Sequence, residues 1–183
     1  VVVRELLANA LIHQDFDMGG TSPVVEVFSN RVEISNPGEP VVPVERFIDG
    51  YQSRNERLAD LMRRFGICEE KSSGIDRVIE AAELMQLPAP EFLTSHRRTI
   101  VVIHGPRSFR AMNGSDRVRA CFQHCVLQYV LRKQMTNQSL RERFGLSESS
   151  SNTISQIITA TMEQGLVKSD PNAPDSRRYA RYI

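Results

Sequence analysis

Apolar residues recur through the opening stretch, VVVRELLANALIH, with the spacing of a helix. Val2, Val3, Leu6, Leu7, Ala10 and Leu11 fall on one side, and Glu5, Asn9 and His13 stand at i, i+4 and i+8 on the other. Side chains four apart on a helix lie one above another, so a carboxylate, a carboxamide and an imidazole come into register. Such a column either gathers around a cation or a polyphosphate, or is the solvated face of an ordinary amphipathic helix. The pattern then changes to short strands. Pro23–Ser29 and Arg31–Ser35 are rich in Val and Ile and meet in a hairpin at Ser29-Asn30; Asn36-Pro37-Gly38 ends the second. A short helical piece follows over Val44–Ile48. Leu58, Leu61, Met62 and Phe65 predict an amphipathic helix over Asn55–Phe65, stopped by Gly66. Ile75, Val78, Ile79, Ala82 and Met85 predict another from about Ser73 to Met85, broken by Pro88 and Pro90. Glu91–Ser95 and Thr99–His104 are the last strands, the second a β-branched run expected to be central. This alternation predicts a helical layer on a small mixed sheet.

Gly105-Pro106 opens a polar linker that runs to Asn113-Gly114, which separates a domain over 1–107 from one over 115–183. Beyond it, Val118, Phe122, Cys125, Val126 and Tyr129 form the stripe of a helix over Asp116–Arg132. Thr136 caps a second helix, with Leu140 and Phe144 inward and Gly145 at its end. Ile154, Ile157, Ile158 and Met162 are the inward positions of a third, over Ser149–Gln164. Lys168–Asp170 and Arg177–Ile183 then read as a β-hairpin around PNAPD. Three helices with a short turn between the last two, followed by a hairpin, make a winged helix-turn-helix arrangement.

Composition narrows the class without naming it. The 183 residues are 40% hydrophobic and 25% charged, ordinary values for a globular protein. No apolar run approaches the ~20 residues that span a bilayer, and no signal-peptide pattern is present, so no membrane partner is expected. Three irregularly spaced cysteines are no disulfide framework, and a reducing, cytoplasmic location is expected. The chain begins without Met and in mid-helix, so an upstream part is expected. Net charge of +1 conceals an asymmetry: residues 1–108 hold 12 Lys+Arg against 16 Asp+Glu, while 109–183 hold 11 against 6. A basic C-terminal segment suits a polyanionic partner.

The order HQDFDMGG, VVEVFSNRVEISNPGEP, SRN, LMRRFGICEEKSSGI and LPAPEF resembles the RecG-like, Schlafen-associated group of transcriptional regulators over roughly residues 4–104. The core of that group is a divergent relative of the GHKL ATPase domain, the nucleotide-binding fold of gyrase and sensor histidine kinases. The fold implied is α+β: a small GHKL-like α/β sandwich followed by the winged helix. An upstream Schlafen-type, nucleic-acid-associated domain is often present in the group. The resemblance assigns Glu5 as the general base that activates water and Asn9 as the ligand of a Mg²⁺ that accompanies ATP, with His13 beside them. It places the nucleotide-binding boxes on Asn36, Gly38, Ser73 and Gly74. Departures are plain. Asn36 stands where the superfamily has an adenine-reading Asp, and Ser72 stands where the phosphate loop prefers Gly, at the cost of close phosphate approach. Lys71 takes a place commonly aromatic. A working ATP site and a degenerate scaffold without turnover therefore both stand, the second favoured. Arg54-Asn55 also matches, and is read as a helix start.

In the C-terminal half, Ser151, Asn152, Ser155, Gln156 and Thr159 lie opposite the Ile154/Ile158 face, on the helix that a winged helix places in the major groove. Phosphate contacts would come from Arg141, Arg143, Lys168, Arg177, Arg178 and Arg181. Cys121, His124 and Cys125 are spaced for one helix face, but the thiols border an apolar stripe and are assigned to the core. The expectation is a homodimeric, DNA-binding transcriptional regulator on double-stranded DNA, whose first half senses a ligand or mediates dimerisation. The alternatives are a GHKL-type ATPase and a protein-interaction module.

Overall fold

The computed structural model describes residues 2–50, 52–68, 74–173 and 180–183. Two compact units emerge, Val1–Ala81 with Pro90–Gly105, and Ala82–Ala89 with Pro106–Ile183. Where the sequence puts all of 1–107 in one domain, the segment 82–89 groups with the C-terminal unit. The whole is mixed α and β, with a four-stranded sheet and six α-helices among the described residues.

The first unit contains α1 (Val2–His13), β1 (Val24–Val27), β2 (Arg31–Pro37), α2 (Glu56–Arg64), α3 (Gly74–Leu84) as far as Ala81, β3 (Glu91–Ser95) and β4 (Arg98–His104). The strands lie in the order β1-β2-β4-β3. Every pairing is antiparallel, so the sheet is not the mixed one the alternation of elements suggested. β4 is an inner strand, as its β-branched run requires. β2 runs two residues further than the sequence implies, because Asn36 and Pro37 still pair with Thr99 and Arg98. Period-two alternation puts Val32 and Ile34 on one face beside their partners Ile103 and Val101. Leu6, Ala10 and Val78 pack on that face. Ala8 and Ile12, on another side of α1, pack on Ala59 and Met62 of α2.

The second unit contains α4 (Gly114–Val130), α5 (Asn137–Arg143) and α6 (Ser151–Glu163). Reciprocal capping boxes start the first two: Asn113 with Asp116, and Thr136 with Ser139. Leu140, Phe144, Ile154, Ile157, Ile158 and Cys125 share one buried core. Tyr129, expected inward, is 64% exposed, and Leu127 is buried instead. Lys168 and Ile183 exchange both backbone hydrogen bonds at 2.9 Å, and Asp170 N–H donates to the Arg181 carbonyl at 2.9 Å. Tyr182 bridges antiparallel to both Ser169 and Met135. Among the described residues no helix is long and apolar enough to cross a membrane.

Candidate functional site

In the first unit, helix and sheet leave a cavity of ≈ 140 Å³ between them. Its sheet wall follows from register: Ile34 and Asn36 on β2 lie opposite Val101 and Thr99 on β4, all four on the helix-facing side and all four lining the cavity. Its helix wall is the Glu5, Asn9 and His13 column. The solvated-face reading of that column fails, since Glu5 is 3% exposed whereas Val3 and Leu11 are 45% and 42% exposed. The reason lies in the partners of α1. Leu6 and Ala10 turn to the sheet, Ala8 and Ile12 turn to α2, and the polar column falls between those two directions.

Glu5 pairs with Arg4 at 3.2 Å. Asn9 Nδ2 is buried without a hydrogen-bond partner among the described residues, an unusual and costly state for an amide. Gly74 opens α3 against this pair: a Cβ there would stand 3.3 Å from Asn9 Nδ2 and 3.9 Å from Glu5 Oε2. The structure thus brings Glu5, Asn9 and Gly74 together. Ser73, with Lys71 and Ser72, lies outside the described residues.

His13 and Asn36 also line the cavity. Burial, and secondly the Arg54 charge, hold the His13 imidazole below its ordinary pKa. Asn36 donates its amide to the Pro37 carbonyl at 3.2 Å, which leaves its side-chain oxygen as the acceptor. Gly38 serves the backbone instead. Its φ is +99°, its N–H donates to the Arg97 carbonyl at 2.8 Å, and its carbonyl accepts from Thr99 Oγ1 at 2.9 Å.

Among the lining residues that sequence reasoning missed are Thr99, Arg54 and Arg63. Arg54 is more than a helix start. It donates to the His13 carbonyl at 3.1 Å and to the Glu39 carbonyl, and faces Asp15 at 3.7 Å. Asn55 begins α2, yet its amide donates to the Ile12 and Gln14 carbonyls at 2.7 and 2.8 Å, holding the C-terminal turn of α1. The one signal for the pair was its match to the resembled family. Thr99 carried a signal in its polarity within an otherwise apolar strand.

In the second unit, α6 is divided lengthwise. Ile154, Ile157, Ile158 and Thr161 are buried, and Ser151, Asn152, Ser155, Gln156 and Thr159 are all exposed. Lys168 and Arg181 are exposed on the paired C-terminal segments, and Arg181 donates to Gln134 at 3.1 Å. Arg141 is half-buried, its Nε on Asn137 Oδ1 at 3.1 Å. Arg143 does not belong to an exposed cationic set. It is 5% exposed, donates to the Leu87 carbonyl at 2.8 Å and lies over the Phe144 ring at 4.9 Å. Arg177 and Arg178 lie outside the described residues.

No group of three His, Cys, Asp or Glu among the described residues can hold a metal ion. Cys121 and Cys125 are in the core, and His124 faces Glu83 at 2.9 Å and Ser139 Oγ at 3.0 Å.

Residues 20–103 match the protein family described as "Putative ATP-dependent DNA helicase recG C-terminal". The match supports a divergent ATPase-like domain; it takes in Asn36, Gly38 and Gly74 and leaves α1 outside. No curated protein matches the chain. Among solved structures, the chain is similar to the DIP2311 protein from Corynebacterium diphtheriae, with a TM-score of 0.55 and 19% identity over 87% of its own length. It spans about a third of that protein, 34%, and at this identity the likeness is one of fold alone.

Proposed function

We propose that this chain acts as a DNA-binding transcriptional regulator. The C-terminal unit is a winged helix-turn-helix that lays α6 in the major groove of double-stranded DNA and its paired segments 168–170 and 181–183 along the phosphates. The N-terminal unit is a GHKL-like domain that senses a ligand or mediates dimerisation. The observation that carries this reading is α6 itself, buried on its isoleucine side and exposed at every one of the five polar positions opposite. The +5 balance of residues 109–183 adds the long-range attraction that a polyanion needs.

Gel-shift titration of mixed-sequence duplex at two salt concentrations tests it. Binding that weakens steeply with salt is expected. Joint replacement of Lys168 and Arg181 by Ala lowers affinity across all sequences and reduces the salt slope by about two. Salt-independent or absent binding sinks the proposal and leaves a protein-interaction module.

A second reading has its own support, the Asn9 Nδ2, without a hydrogen-bond partner among the described residues, beside Gly74 and Glu5. These groups suit a phosphate-bearing ligand: Asn9 would ligate Mg²⁺ through its carboxamide oxygen, and Gly74 would open α3 to the phosphates. Asn36 would meet the base with an acceptor where the superfamily has a carboxylate. Bound Mg·ATP would supply a reactive phosphoanhydride, with Glu5 as candidate base. Calorimetric titration with Mg·ATP separates ligand binding from an inert scaffold, and phosphate release separates binding from turnover.

A further inference from the structure

The five exposed polar residues of α6 are not equivalent. Asn137, at the start of α5, donates its amide to the Ser151 carbonyl and to Ser155 Oγ, both at 3.0 Å. It accepts from Ser151 Oγ at 3.2 Å and from Arg141 Nε at 3.1 Å. Ser151 and Ser155 are therefore engaged in joining α5 to the first two turns of α6. Asn152, Gln156 and Thr159 stand at i, i+4 and i+7, exposed, their side chains in no hydrogen bond with a described residue. They form one stripe. No Lys or Arg occurs anywhere in 151–164, and the stripe ends in exposed Glu163.

Chemistry then selects the base pair. In the major groove guanine offers two acceptors, N7 and O6, which suit the paired donors of Arg or Lys. Adenine offers an acceptor at N7 beside a donor at N6, which suits the paired donor and acceptor of a carboxamide. Both long side chains of the stripe are carboxamides. Thr159 adds a methyl group, matched to the C5-methyl of thymine. Four residues of helix rise about 6 Å, close to two base-pair steps at about 3.4 Å each. On DNA, Glu163 would meet the phosphates unfavourably on the same line, which confines base contact to the positions before it.

We infer that α6 reads A·T pairs in the major groove, with Asn152 and Gln156 each on an adenine edge about two steps apart. This rests on the DNA-binding reading of the C-terminal unit and deepens it.

Selection of binding sites from a randomised duplex pool by the full chain, followed by anisotropy titration of the winners, tests it. Selected sites are expected to carry A·T pairs at two positions about two steps apart. Exchange of either adenine for 7-deazaadenine, which removes the N7 acceptor and retains pairing, is expected to weaken binding about tenfold. Asn152→Ala and Gln156→Ala, both surface changes, are each expected to abolish preference at one of the two positions and to leave salt-dependent non-specific binding intact. Sites enriched in G·C, equal affinity for A·T and G·C duplexes, or indifference to 7-deazaadenine overturn the inference and leave the DNA-binding reading standing. Failure to bind any duplex at low salt overturns both.

Discussion

The guanidinium of Arg143 donates to the main-chain carbonyl of Leu87 at 2.8 Å, so an arginine that the sequence offered as a phosphate contact is committed to holding its own unit together. Burial pulls its pKa down from the ordinary guanidinium value, with Glu83 opposing, and its Nε and Nη1 find no hydrogen-bond partner among the described residues. Arg143→Ala leaves the Leu87 carbonyl unsatisfied and strips the cover from Phe144. The expected cost is about 2–3 kcal/mol in urea unfolding. Arg143→Met keeps the apolar stem and removes a poorly compensated charge, so it is expected to cost less than Ala. Neither change is expected to alter the salt slope of the proposed DNA binding; a shallower slope would return Arg143 to the phosphate-contacting set.

That arginine also marks where the sequence stops being legible. The core stripe of α5 and α6 follows from spacing alone, and Leu140, Ile154 and Ile158 are buried where period 3.6 puts them. What Arg143 binds is the Leu87 carbonyl, 56 residues earlier, and no local pattern carries that information. α1 illustrates the same limit. Its spacing places Glu5, Asn9 and His13 on one side, but a helix buried on two sides has no single polar face, and only the positions of α2 and the sheet decide which column meets a cavity. Tertiary partners likewise decide Asn55, whose amide reaches carbonyls 41 and 43 residues away.

His13 gives stability a pH dependence. Burial, then the nearby Arg54 charge, depress its folded-state pKa, so below about pH 6.5 the unfolded chain binds the proton more readily than the folded one. The stabilisation is complete above that value and is lost as pH falls toward the lowered folded pKa. His13→Gln is expected to flatten the change in unfolding midpoint between pH 7.5 and pH 5. A wild-type slope retained in the variant assigns the dependence to other groups.

Thiol chemistry checks the assignment of the cysteines. Burial pushes Cys121 up to about 11 and Cys125 up to about 12, so neither presents thiolate near neutrality. Iodoacetamide at pH 8 is expected to leave both unmodified in the folded protein and to label both in denaturant, read by mass spectrometry of tryptic peptides. Rapid labelling of either in the native state contradicts their place in the core.

Two glycines separate folding from ligand binding. Gly38 combines φ +99° with a position where a Cβ would stand 2.8 Å from Asp15 Cβ, so Gly38→Ala meets both backbone strain and a steric clash. The expected loss is about 2–3 kcal/mol, visible in urea unfolding. Gly74 has no positive φ, and its added Cβ would meet Asn9 Nδ2 at 3.3 Å. That contact asks the Asn9 side chain to yield by a few tenths of an ångström, while Ala favours the helix that Gly74 begins. Gly74→Ala is therefore expected to change stability by less than about 1 kcal/mol and to fill the space in which phosphate would approach the Asn9 amide. If the cavity takes Mg·ATP, calorimetric heat disappears in the Gly74 variant although its unfolding curve is nearly unchanged. Equal heat in wild type and variant places the nucleotide elsewhere.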